Sequence, residues 1–95
     1  MSVRAYRVNK IEHEPSESFN LMHDEKLVRF LSDEAGIYET LNEGTGLTEV
    51  SAEVLAMAIA KAEELELTPD MVKILQADIE WAKKNDTDYV QYYCI

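Results

Sequence analysis

SAEVLAMAIAKAEELELTPDMVKILQADIEWAKK, residues 51–84, reads as two helices and the break between them. Ser51 is a helix N-cap, because its hydroxyl can accept an amide that the first turn leaves unpaired. Val50 and Leu55 stand at the positions of a hydrophobic staple. Val54, Leu55, Ala58, Ala62 and Leu65 form one stripe at helical spacing. Met57, Ile59 and Ala60 widen that stripe, so the first half reads as buried on most sides. Glu63, Glu64 and Glu66 mark the solvated end. Leu67-Thr68-Pro69-Asp70 then restarts a helix: Thr68 caps it, Pro69 takes the first helical position and Leu67 staples to Val72. Val72, Leu75, Ile79 and Ala82 are its buried stripe, with Met71, Ile74 and Trp81 alongside. Lys83 and Lys84 suit the negative end of the helix dipole. So short a link predicts an antiparallel helical hairpin.

Beyond the hairpin, Asn85 to Asp88 reads as a turn and Tyr89 to Ile95 as a last strand, rich in aromatic and branched residues. Val90, Tyr92 and Cys94 face one way; Tyr89, Gln91, Tyr93 and Ile95 face the other. That strand needs a neighbour, and the expected one is a first strand at Val3–Glu12. On the near side, Glu43-Gly44-Thr45-Gly46 reads as a hairpin turn between strands at Ile37–Asn42 and Leu47–Val50. His23 to Ala35 is expected to be a helix: Leu27, Val28 and Leu31 are spaced for one face, Asp24 and Glu25 suit its first turn, and Gly36 is its C-terminal cap. Phe19 to Met22 fits either a short returning strand or the lead-in to that helix. His13 to Ser18 is loop chemistry. The expected order is β-α-β-β-α-α-β. This predicts a single α+β domain over residues 1–95, in two layers. A largely antiparallel sheet of about four strands carries about three helices on one face.

The chain is strongly acidic, with 19 Asp and Glu against 9 Lys and Arg and a net charge of −10 in 95 residues. The charge is uneven. Residues 1–11 hold Arg4, Arg7 and Lys10 and no acid, so residues 12–95 carry −13. Direct nucleic-acid binding is disfavoured, since phosphate contacts require the opposite sign. A basic protein partner is the natural complement. At 46% hydrophobic residues the chain has enough apolar material for a core. No apolar run is long enough for a membrane span, and the first residues do not read as a signal peptide. The single cysteine, Cys94, rules out an internal disulfide and leads to a cytoplasmic expectation.

Chemical signatures are few. Glu12-His13-Glu14 and His23-Asp24-Glu25 each put a histidine among acids, but neither has a recognised metal-ligand spacing. Asn85 to Asp88 lacks the glycine and the distal glutamate of a calcium loop. Glu43 to Gly46 lacks the Gly-Lys-Ser/Thr of a phosphate loop. Cys94 has no positive neighbour in sequence to lower its pKa, and reads as a small buried hydrophobe. No catalytic residue and no cofactor is therefore expected. The five tyrosines are another matter, because Tyr89, Tyr92 and Tyr93 cluster at the end. Tyr89 and Tyr93 could form an amphipathic contact face, or could pack under a loop.

These features lead to an expected function as a small, acidic protein-binding or regulatory domain without catalytic activity. Its candidate contact residues are Tyr89, Tyr93, Glu63, Glu64 and Glu66. It would act as a monomer, or as a homodimer whose open strand edge pairs with its twin. Two alternatives belong to other classes. One is a nucleic-acid mimic that blocks a basic DNA- or RNA-binding protein. The other is a small metal protein or enzyme using His13, His23 or Cys94.

Overall fold

The computed structural model describes residues 3–8, 12–15 and 18–95. The fold is α+β, in the order α1 (Glu25–Ala35), α2 (Ile37–Thr40), β1 (Gly46–Ser51), α3 (Ala52–Ala60), α4 (Pro69–Lys84) and β2 (Tyr89–Cys94). Among the described residues one sheet forms, with two antiparallel strands. No helix of the described residues is long and apolar enough to cross a membrane.

The helix ends follow the local chemistry. Ser51 Oγ accepts from the Val54 amide at 3.1 Å, and Thr68 Oγ1 accepts from the Met71 amide at 3.1 Å. Pro69 opens α4 as its fixed φ and missing N–H allow. Gly36, at φ 63°, closes α1 by donating to the Ser32 carbonyl. Two acidic residues do the same work at a positive φ. Glu66 and Asp86 stand at φ 55° and 51°, and the paired bonds Glu66→Glu63, Leu67→Ala62, Asp86→Lys83 and Thr87→Ala82 are Schellman closures. α1 starts two residues later than its apolar spacing suggests. The Asn20 side chain accepts from the Met22 and His23 amides, while Asp24 turns back to the Asn20 amide at 2.7 Å. Phe19 to Met22 is thus the lead-in to a helix.

Three expectations are corrected. The strand expected at Val3–Glu12 does not form in residues 3–8 or at Glu12, and residues 9–11 of that span lie outside the described residues. Its intended neighbour, β2, pairs instead with β1, in a register that sets Val50 opposite Val90 and Thr48 opposite Tyr92. The strand expected at Ile37–Asn42 is the single turn of α2. As a strand it would send Glu39 inward with Ile37 and Leu41; as a helical turn it buries Ile37 and Leu41 and leaves Glu39 in water. Asn42 to Thr45 keeps its tight turn, with mutual backbone bonds of 2.8 and 3.1 Å and positive φ at both Glu43 and Gly44. α3 is also less buried than its composition suggests, since Met57 and Ala60 are exposed. Among the described residues, two strands and the order ααβααβ therefore replace four strands and β-α-β-β-α-α-β.

One core unites these elements. Leu27 and Leu31 of α1, Ile37 of α2, Val50 of β1, Leu55 and Ala58 of α3, Leu75 and Ala82 of α4 and Val90 of β2 are all buried in it. The inner sheet face also buries Thr48, whose hydroxyl lies 2.6 Å from that of Thr40, which itself donates to the Ile37 carbonyl. That pairing removes the penalty for an unsatisfied buried hydroxyl.

The two caps make the first prediction. Ser51→Ala and Thr68→Ala should each lower the unfolding free energy by about 1 kcal/mol. They share no partner, so the losses should add. Urea melts followed by circular dichroism measure both; unchanged midpoints would show that the caps do not hold these helices.

Candidate protein-binding groove

β2 is an edge strand with one side open. The Ala52 amide donates to the Asp88 carbonyl at 2.8 Å, which fixes the phase of the antiparallel ladder. Val90, Tyr92 and Cys94 therefore aim their backbone groups at β1, while Gln91 and Tyr93 aim theirs away from it. Among the described residues no backbone bond reaches Gln91 or Tyr93 on that outer side. Such a row of free donors and acceptors is a template for another extended chain.

A groove runs along this edge. One wall is α4, through Ala77, Asp78 and Trp81; the other is formed by Glu12 to Pro15 and Ser18 to Met22. Trp81 faces it with about half of its surface exposed (48%). The His13 ring lies 5.8 Å from that of Tyr93, and His13 Nδ1 is 2.7 Å from the Glu14 carbonyl. A carbonyl can only accept, so the imidazole carries a proton on Nδ1. Glu12, Glu14, Glu43 and Asp78 line the groove, and no Lys or Arg does among the described residues.

Asp78 ties the two walls to the sheet. Its Oδ2 accepts from Ser18 Oγ at 2.7 Å and from Tyr92 Oη at 2.7 Å. Phe19 meets the Tyr92 ring edge-on, with centroids 4.8 Å apart. Burial holds the Tyr92 phenol well above the usual tyrosine range, and the Asp78 charge and hydrogen bond add to the shift. Burial also raises the Cys94 thiol, which keeps it protonated and poorly nucleophilic at neutral pH. Ser18 is bonded directly to a carboxylate. The cluster holds a wall in place, and it does not assemble a nucleophile, a base and an orienting group.

The candidate residues divide between different surfaces. Tyr93 lines the groove; Tyr89 shares its side of β2 but sits at the far end of the strand, opposite Ser51, outside the groove lining. Glu63, Glu64 and Glu66 lie in the turns after α3 and do not line it. Glu66 is engaged by Lys26 Nζ at 2.7 Å. His13 and Cys94 share the groove, whereas His23 lies in a separate shallow depression with Glu66. Among the described residues no three His, Cys, Asp or Glu side chains gather as a metal site. Asp78 and Trp81 are the groove residues that sequence reasoning missed. Asp78 had a signal: it lies three residues after Leu75 and four before Ala82, an acid on a buried stripe.

The cluster yields the second prediction. Tyr92→Phe leaves Asp78 with Ser18 alone and should cost about 1–2 kcal/mol of stability. The raised phenol also sets a pH dependence. Its contribution is whole below the free tyrosine pKa of about 10 and is lost as pH rises beyond it. Urea midpoints from about pH 8 to about pH 11 should fall in the native protein and fall less steeply in Tyr92→Phe; identical slopes would refute the linkage.

Compared with protein-family models, curated proteins and solved structures, the chain matches none of them, so its function is argued from this geometry alone.

Proposed function

We propose that this chain is a non-catalytic, cytoplasmic protein-binding domain that takes an extended, cationic segment of a partner along the open edge of β2. The observation that carries the reading is the coincidence of three properties in one groove: free backbone groups at Gln91 and Tyr93, aromatic walls at Trp81 and Tyr93, and a lining with carboxylates but no Lys or Arg among the described residues. Each supports a different part of recognition. The edge supplies main-chain hydrogen bonds to any extended chain. The rings take alternate side chains of that chain, since successive residues of a strand point to opposite sides. The carboxylates select cations and favour approach of a basic partner. An exposed edge of two free residues is a small anchor, so the expected affinity is micromolar and the complex transient. The protonated Cys94 thiol suits a reducing compartment, where it persists unpaired.

A fluorescein-labelled peptide of alternating valine and lysine is a direct probe. Its anisotropy should rise on binding, and the affinity should fall as salt is added. Trp81→Ala and Tyr93→Ala should each weaken it by about tenfold or more. The matched peptide with glutamate in place of lysine should not bind. No binding by the lysine peptide, or binding by both variants as tight as by the native chain, would overturn the proposal.

A further inference from the structure

We propose that the groove has a built-in occupant: residues 3–8 of a second copy of this chain, so that two copies exchange these segments and each adds a third strand beside β2. The inference rests on the β2-edge reading above and names the segment that fills it.

Val3-Arg4-Ala5-Tyr6-Arg7-Val8 has the chemistry the groove selects. Laid out as a strand, each face carries two apolar side chains and one arginine: Val3, Ala5 and Arg7 on one, Arg4, Tyr6 and Val8 on the other. The segment has no regular structure and leaves its apolar groups in water, with Val3 fully exposed, Tyr6 78% and Val8 68% exposed. Neither its backbone nor its two arginines have a hydrogen-bond or ion-pair partner among the described residues. A run of apolar side chains and unpaired amides without a neighbour is half of a sheet contact. The open side of Gln91 and Tyr93 is the other half.

Charge says which occupant fits. Residues 1–11 are a cationic stretch, +3 without an acid, and the rest of the chain carries −13. One chain thus contains both members of a complementary pair. Within a single copy they stay apart: Glu12 to Pro15 line the groove, whereas residues 3–8 are exposed and do not line it. Exchange between two copies satisfies both halves twice under two-fold symmetry. It also enlarges a two-stranded sheet, a size that is marginal without added support. Two bodies of net −10 repel at long range. At physiological salt that repulsion is screened beyond about 8 Å, while pairing inside the groove is screened far less.

The test uses the full chain and its Arg4→Glu/Arg7→Glu variant at physiological salt. Light scattering after gel filtration should give twice the 10.9 kDa of one chain for the native protein and 10.9 kDa for the variant. Hydrogen exchange at the Gln91 and Tyr93 amides should be slow in the native protein and fast in the variant. A synthetic peptide of residues 1–11 should bind the variant in the groove and be displaced by the valine–lysine peptide. Three results would overturn the inference: a single-chain mass with fast exchange; a single-chain mass with slow exchange, which places the segment in its own groove; or a dimer that survives the double charge reversal. If the valine–lysine peptide binds and the 1–11 peptide does not, this inference alone falls. If neither binds, the groove reading falls with it.

Discussion

The antiparallel pairing of Gly46–Ser51 with Tyr89–Cys94 is the constraint on which the rest of the structure depends. β1 runs straight into α3, with Ser51 ending the strand and capping the helix. β2 follows the turn that ends α4. Pairing the two strands therefore brings the start and the end of the α3–α4 unit together and closes the chain on itself. The pairing also decides which side of each strand is dry. Val50 opposite Val90 sits under the helices, and a slip of one residue would put Glu49 and Gln91 there instead. A two-stranded ribbon is not stable alone in water. Its stability comes from the helical layer on one face, and its function is sought at the edge that this layer leaves open.

Asp78 turns that open edge into a groove. A carboxylate on a helix stripe between Leu75 and Ala82 would be costly to bury alone. Here two hydroxyls meet it, one from β2 and one from the segment before α1. The bond to Ser18 matters for shape, because it draws Ser18 and Phe19 onto Tyr92 and raises a wall opposite α4. Half-buried polar groups satisfied in this way fix geometry as well as adding stability. The groove is thus held by three side chains far apart in sequence.

What could be read from the sequence follows from the range of the forces involved. Caps act over three or four residues, so Ser51, Thr68 with Pro69, and Gly36 were legible. The turn at Glu43-Gly44 was legible for the same reason, although Glu43 itself takes a positive φ. Ile37 to Leu41 misled because two apolar residues four apart fit a strand and a helical turn equally well; the buried ends and the exposed Glu39 separate them only once the core exists. Residues 3–8 have the composition of a strand, but a strand exists only with a neighbour, and the neighbour is chosen far along the chain. The site shows the same division. Tyr93, singled out as a candidate from its cluster with Tyr89 and Tyr92, lines the groove. Its separation from Glu63, Glu64 and Glu66, the open edge beside it and the role of Asp78 depend on the β1–β2 register and on the packing of α4.

The acidity of the chain acquires a narrower meaning from this geometry. A net charge of −10 affects encounter rates with any cation, but beyond about 8–10 Å it is screened at physiological salt. Only carboxylates close to a bound segment can select it. Glu66 is spent on Lys26, and Asp33 and Glu34 sit on the exposed side of α1, so much of the total is surface charge with no bearing on the groove. Glu14 and Glu43 line it together with the Trp81 and Tyr93 rings, and ring faces also attract cations. On the proposed reading, an arginine entering there would meet carboxylates and rings together while its backbone paired with the sheet edge. A glutamate in its place would keep the backbone pairing and reverse each of the other two terms. In the binding role proposed for the groove, discrimination would rest on a few local charges, and the large total would mainly set how often a cationic segment arrives.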